Sequence, residues 1–200
     1  MNNKLPLDFY RRDTLTVAKE LLGKVLVTHT SEGVSRCRIV ETEAYLGHSD
    51  KACHSYHKKP FGRVNVMFRE GGLSYVYLIY GMYYCFNVVT EKEGVPEAVL
   101  IRAGEPLGDT SLIEYRRVKA KRFTQLLNGP GKLCSGMGIT KEHYGVPLNS
   151  DIIYIEDMPL NEGEQIIATP RINIDYAEEA RDFLYRFVIK DNPHVSVKVK

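Results

Sequence analysis

Apolar and polar positions recur along this chain with two different periods, and each period predicts a different kind of element. Between Thr14 and Leu22 the apolar residues Leu15, Ala18 and Leu22 fall at helical spacing, with Asp13 in front as an N-cap and Gly23 behind as a stop. A short amphipathic helix is expected there. Two β-rich runs follow, Lys24 to Thr30 and Ser35 to Leu46, separated by Ser31-Glu32-Gly33, a loop short enough for a hairpin. Leu73 to Tyr80 and Met82 to Thr90 are strongly apolar, aromatic runs that meet at Gly81, where the backbone turns without steric cost. They predict a second hairpin, with aromatic side chains around its tip.

Ala98 to Ala103 reads as a further strand, and Ser111-x-x-Glu114 as the capping-box start of a helix running to about Leu127. Pro130 suits the first turn of a shorter helix through Met137. Strands over Ile152 to Glu156, Gln165 to Ile174 and Tyr185 to Lys190, with a short helix near Tyr176 to Phe183, complete the pattern. No internal repeat or linker interrupts residues 1–200, so one domain is expected. Hairpin-joined strands mixed irregularly with helices, without a β-α-β rhythm, give the fold class: α+β, a single compact domain on a curved antiparallel β-sheet with peripheral helices and a protruding hairpin.

Composition narrows the function classes. At 44% hydrophobic and 26% charged residues the 200-residue chain has enough apolar content for one core, and it contains neither a disordered tract nor a membrane-length apolar run. The opening Met1-Asn2-Asn3-Lys4-Leu5-Pro6 has no apolar signal region, which leads us to expect an intracellular protein. Cys37, Cys53, Cys85 and Cys134 lie far apart without zinc-ligand spacing, so four free thiols and no metal site are expected. A net charge of +2 gives only weak support for nucleic-acid binding, so local features must carry that argument.

The most informative segment is Arg38-Ile39-Val40-Glu41-Thr42-Glu43-Ala44-Tyr45. Strand alternation puts Cys37, Ile39, Glu41, Glu43 and Tyr45 on one face, where two carboxylates in apolar surroundings should raise at least one pKa into the range of a general base. The plainer alternative is an edge strand whose glutamates meet water. Tyrosine is the second anomaly: thirteen tyrosines and no tryptophan, with Tyr75, Tyr77, Tyr80, Tyr83 and Tyr84 within ten residues. Such rings can stack on bases or simply pair across strands. Tyr80, beside Gly81 at a turn, should protrude, as a wedge between base pairs would. His54 alone carries little weight. Arg116 to Arg122 contains five cations on the predicted helix, either a phosphate-binding stripe or a solvated face. Gly129-Pro130-Gly131-Lys132 lacks the Walker spacing and the hydroxyl residue after lysine, which argues against nucleotide hydrolysis.

Taken in order, Arg38 to Gly47, Ala52-Cys53-His54-Ser55, Tyr75 to Tyr83, Leu100 to Pro106, Asn128 to Leu133 and Arg186 to Ser196 resemble the alkyladenine, or 3-methyladenine, DNA glycosylases of the mammalian type, over nearly the whole chain. The resemblance implies that Glu43 is the catalytic base and that Arg102 holds Glu43 and the water in register. It implies that the excised base lies between Tyr45 and the pair His54 and Tyr77, with Asn87 as a gate against guanine. Tyr80 would fill the gap left in the duplex. Damaged double-stranded DNA is the implied partner, with no cofactor and no metal, and the protein is expected to act as a monomer inside the cell, in the cytoplasm at the nucleoid if the source is bacterial. Phe61 and Val64 depart from the family pattern, which usually has Thr and Asn there. The readings that stand side by side are thus a monofunctional purine DNA glycosylase leaving an abasic site, and a non-catalytic reader that binds damaged DNA through its tyrosine hairpin. A carbohydrate glycosidase is disfavoured, because Glu41 and Glu43 on one strand face cannot flank a sugar from opposite sides.

Overall fold

The β-rich run before Leu46 becomes the organising strand of the molecule. In the computed structural model, which describes residues 3–199, β1 (Val25–Thr30) and β2 (Gly33–Tyr45) form the first hairpin, β3 (Ser74–Ile79) and β4 (Tyr83–Thr90) the second. Then come β5 (Glu97–Pro106), β6 (Ile153–Glu156), β7 (Ile166–Thr169) and β8 (Arg186–Ile189). All are paired antiparallel in one eight-stranded sheet whose main path runs β3-β4-β5-β2-β1-β6. Strand β2 is long enough to fork the sheet: β5 follows one edge, while the other edge meets β1 over Gly33 to Arg38 and then β8 over Glu41 to Glu43. With partners on both edges, the acid-bearing end of β2 is buried, and the edge-strand alternative does not hold.

Helices α1 (Leu7–Tyr10), α2 (Thr14–Glu20), α3 (Ser111–Arg116) and α4 (Pro130–Met137) surround the sheet, α2 packing on β2 and β5 and α4 on β4 and β5. The caps of α2 and α4 follow from sequence. Asp13 accepts the Thr16 amide at the start of α2, and Gly138 closes α4 in the left-handed conformation that favours glycine.

Several expected boundaries shift. Helix α3 stops at Arg116 rather than Leu127, and Thr110 stands at its N-cap, so the Ser111/Glu114 capping box does not form. Glu114 instead accepts the Thr110 hydroxyl at 2.6 Å, and Asp109 accepts the Ser111 amide. The basic run therefore lies mostly beyond the helix, and Arg116 is folded inward against Glu32, Ser35, Thr30 and the Gly136 carbonyl. Strand β7 ends at Thr169, five residues short of the predicted Ile174 end, because Pro170 has no amide to offer a ladder. The helix expected near Tyr176 is a pair of 3-10 turns, Asp175–Asp182, broken where Glu178 takes a positive φ.

Strand alternation in β2 is also interrupted, by register shifts against β5 between Ile39, Glu41 and Thr42. Cys37 and Ile39 consequently join Val40 and Ala44 in the main apolar cluster, while Glu41 and Glu43 remain for a polar centre. Two smaller apolar clusters sit at the far end of β2, and Tyr45 packs against both. All four cysteines are free and buried. Among the described residues, no helix is long and apolar enough to cross a membrane, and no group of three or more metal-ligating side chains occurs.

Candidate active site

The polar centre is built on β2 and β5. Arg102 on β5 donates from Nε to Glu41 at 2.9 Å and from Nη1 to Glu43 at 3.3 Å, so one guanidinium spans both carboxylates. Glu41 also accepts from Arg186 Nε at 2.7 Å, from the Ser196 amide at 2.6 Å and from the Ser196 hydroxyl at 2.8 Å. Burial acts to raise the Glu41 pKa, but Arg102, Arg186 and the Ser196 amide outweigh it and leave the carboxyl below its ordinary range. The expectation that like charges would raise a pKa is thus not met at Glu41. Cations, not the neighbouring acid, dominate its surroundings.

Glu43 is fully buried. Its Oε2 accepts the Tyr45 hydroxyl at 2.7 Å, and its Oε1 accepts the Ile172 amide at 2.8 Å. Three donors from three parts of the chain therefore fix the carboxylate, in the manner of a preorganised site. Behind Tyr45 lies a second buried pair, Arg171 and Asp50, with side chains 0% and 1% exposed. Arg171 Nη2 reaches Asp50 Oδ1 at 2.8 Å, Nη1 reaches the Ala44 carbonyl at 2.8 Å, and the guanidinium lies 4.7 Å from the centre of the Tyr45 ring. Asp50 in turn accepts the amides of Leu46 and Ala52. This clamp fixes the end of β2 and delivers Ile172 to Glu43. Neither Asp50 nor Arg171 was identifiable from sequence: one is a lone acid in a loop, the other fell inside the overlong strand prediction.

In front of this layer opens a cavity of about 520 Å³ whose lining includes Tyr45, His54, Tyr77, Tyr80, Asn87 and Arg102. Six of the seven residues assigned from the resemblance thus share one cavity. The seventh, Glu43, stands just behind the wall formed by Tyr45, Arg102 and Ile172, all of which it touches. His54 stacks edge-on with Tyr77 at 4.6 Å between ring centres, and its Nδ1 shares a 2.9 Å hydrogen bond with the Tyr75 hydroxyl. Burial, then Arg63 and Lys58, push the His54 pKa down to about 4, which keeps the imidazole neutral near pH 7. Asn87 is buried, and its amide nitrogen is spent on the Tyr75 carbonyl at 2.9 Å. Tyr75 is the residue the sequence reading undervalued, since it orients both His54 and Asn87.

The β3/β4 turn projects as predicted: Tyr80 is 77% exposed, and both Tyr80 and Gly81 have positive φ. Val64, one of the departures from the family pattern, is buried with Cys53, Met67 and Tyr75, where an apolar side chain supplies packing. Phe61, the other, is exposed. Of the basic run, Arg117 lines the cavity while donating to the Leu126 carbonyl at 3.0 Å.

An aromatic cavity backed by a fixed carboxylate and a buried arginine has the make-up of a pocket for a flat, electron-poor ring. The family described as Methylpurine-DNA glycosylase (MPG) matches residues 8–193, which places the chain in the class of DNA glycosylases, monofunctional hydrolases of the N-glycosidic bond. The curated relatives agree in length as well as sequence. Proteins named "Putative 3-methyladenine DNA glycosylase" are 50% identical in Natranaerobius thermophilus over 97% of this chain and 99% of theirs, and 50% identical in Alkaliphilus oremlandii over 98% and 100%. A protein of the same name from Methanocella arvoryzae is 50% identical over 96% of this chain and 95% of its own. The chain belongs to the methylpurine-DNA glycosylase family. These relatives are bacterial and archaeal, so the similarity establishes the family without the mammalian qualifier.

Proposed function

We propose that this protein excises alkylated or deaminated purines, 3-methyladenine among them, from duplex DNA, by everting the damaged nucleotide into the aromatic cavity and hydrolysing its N-glycosidic bond. The observation that carries this reading is the Glu43 carboxylate, fully buried and held by Arg102, Tyr45 and Ile172 directly behind a cavity lined by Tyr45, His54 and Tyr77.

Alkylation at a ring nitrogen makes the purine cationic and a better leaving group. Electron-rich tyrosine faces favour such a ring, whereas a protonated imidazole beside it would repel it. The lowered pKa of His54 removes that repulsion at neutral pH. Eversion costs a few kcal/mol and least where pairing is already damaged, so part of the selectivity comes before the pocket is reached. Asn87, tethered through Tyr75, rejects guanine because its buried side chain is fixed and leaves no room for the exocyclic amine. Tyr80 occupies the vacated position in the duplex.

As the bond breaks, the sugar gains oxocarbenium character, and the proton of the attacking water must go to a base. A water placed where Arg102 and the Tyr45 hydroxyl converge on Glu43 Oε2 donates its proton to that carboxylate while its oxygen attacks C1′. The purine leaves with the bonding electrons, and an abasic site remains. The fixed guanidinium of Arg102 keeps Glu43 in line without becoming the proton acceptor itself.

The test is Glu43→Gln on a duplex with a single alkylated purine, under single-turnover conditions. The variant is expected to bind within a few-fold of the parent and to release base at least a thousandfold more slowly, the upper part of the range for loss of a general base combined with its electrostatic contribution. Base release at the parental rate would remove Glu43 from the mechanism.

A further inference from the structure

The segment between Asp50 and Glu70 contains five basic residues, Lys51, Lys58, Lys59, Arg63 and Arg69, and no acid. Lys51 is paired with Glu178 and Glu179, whereas Lys58, Lys59, Arg63 and Arg69 have no ion-pair partner among the described residues, unlike Lys24 with Asp157 or Arg36 with Glu156. The loop 57–63 is exposed throughout. Its Arg63 end reaches the cavity, the guanidinium lying 5.6 Å from the centre of the Tyr77 ring, and His54, three residues before the loop, lines the cavity wall. At its outer part Phe61 is 86% exposed, the highest value of any large apolar side chain described. Val64 beyond it turns into the core, so the loop has an apolar anchor available and still leaves Phe61 outside.

An isolated phenylalanine left in water forgoes the burial free energy its ring would gain. Placed on a loop with the unpaired cations Lys58, Lys59 and Arg63, the last of which lies over the cavity residue Tyr77, it fits a polyanion that also offers flat apolar surfaces. We propose that Phe61 is a second aromatic contact to the DNA, packing on a base or deoxyribose next to the everted nucleotide while Lys58, Lys59 and Arg63 engage the adjoining phosphates. Tyr80 and Phe61 then grip the duplex from two sides of the cavity. This rests on the base-eversion reading above.

The experiment compares Phe61→Ala, Phe61→Thr and the double variant Lys58→Gln/Lys59→Gln with the parent. Affinity for a lesion duplex is measured by anisotropy over a series of salt concentrations, and 2-aminopurine is placed at each position flanking the lesion. Stacking energies give an expected loss of roughly tenfold for either Phe61 variant at fixed salt, with the slope of log K against log salt unchanged. The double lysine variant should lower that slope by about 1.8. At one flanking position the 2-aminopurine signal should change on binding the parent and stay unchanged with Phe61→Ala. Affinity within twofold of the parent together with unaltered flanking signals would overturn the proposal. So would a Phe61→Ala variant that loses self-association in sedimentation while keeping its DNA affinity, since the surface would then belong to a second copy. Base release by the parent, measured on the same duplexes, reports separately whether the eversion reading itself holds.

Discussion

Replacing Asp50 by alanine should damage this protein more than any other single change remote from DNA. The substitution leaves the Arg171 guanidinium in a site where both partners are essentially sealed from solvent, with only the Ala44 and Ala180 carbonyls as acceptors. It also strips the amides of Leu46 and Ala52 of their acceptor. Breaking a buried pair in this one-sided way costs about 3–5 kcal/mol, because the surviving charge is not resolvated. For a domain of this size each kcal/mol lowers Tm by about 2–4 °C, so a fall of roughly 6–20 °C is expected in a thermal unfolding scan. Replacing both partners with apolar residues, Asp50→Leu with Arg171→Met, should recover most of that stability. It should not recover turnover. The Tyr45 ring would lose the cation behind it, and Ile172 would lose the neighbour that delivers its amide to Glu43, so base release at 20 °C should remain at least tenfold slow. Asp50→Ala unfolding within 1 kcal/mol of the parent, or a double variant with full turnover, would refute the clamp.

Other predictions follow from the same geometry. His54 has its folded-state pKa lowered to about 4, against about 6.5 for an unfolded histidine, so the unfolded chain binds the extra proton across that window and stability falls as pH drops from 6.5 to 4. His54→Gln should flatten this fall by up to about 1.4 kcal/mol per pH unit, read from urea unfolding at several pH values. A parental slope left unchanged would mean that His54 is protonated in the fold. Tyr80→Gly should separate stability from binding: it relieves a tyrosine at positive φ, for unfolding free energy equal to the parent's or up to about 1 kcal/mol higher, while lesion-duplex affinity drops roughly tenfold with the loss of the wedge. Undiminished affinity would return Tyr80 to the status of a surface residue.

What the sequence made legible was whatever depends on local spacing. The 3.6-residue pattern and the Asp13 cap gave α2, and the aromatic run broken at Gly81 gave the hairpin with Tyr80 outside. Pro130 gave the start of α4. The errors arose where distant contacts override local preference. Helix α3 ends early as Arg116 turns inward to Glu32 and Gly136, and a charge count cannot distinguish that inward arginine from a phosphate ligand. The alternation predicted for β2 fails at a register shift that only β5 imposes. In the site, the resemblance supplied residues that line one cavity. It did not show that Glu43 sits behind that cavity's wall, or that Asp50 and Arg171 secure it, because those facts depend on side chains 121 residues apart in sequence.

The contacts of Glu41 bear on when the polar centre can be assembled. Its carboxylate joins Arg102 and Arg186 to the Ser196 amide and hydroxyl, which lie 155 positions further along. Arg102 itself reaches the Ser196 hydroxyl at 3.3 Å. A nascent polypeptide still short of Ser196 can have its hairpins and much of its aromatic pocket, yet the arginine that steadies Glu43 lacks its final anchor. The polar centre on β2 and β5 therefore closes only after a segment made 155 positions later than Glu41 has joined it, which ties the order of synthesis to the order of assembly.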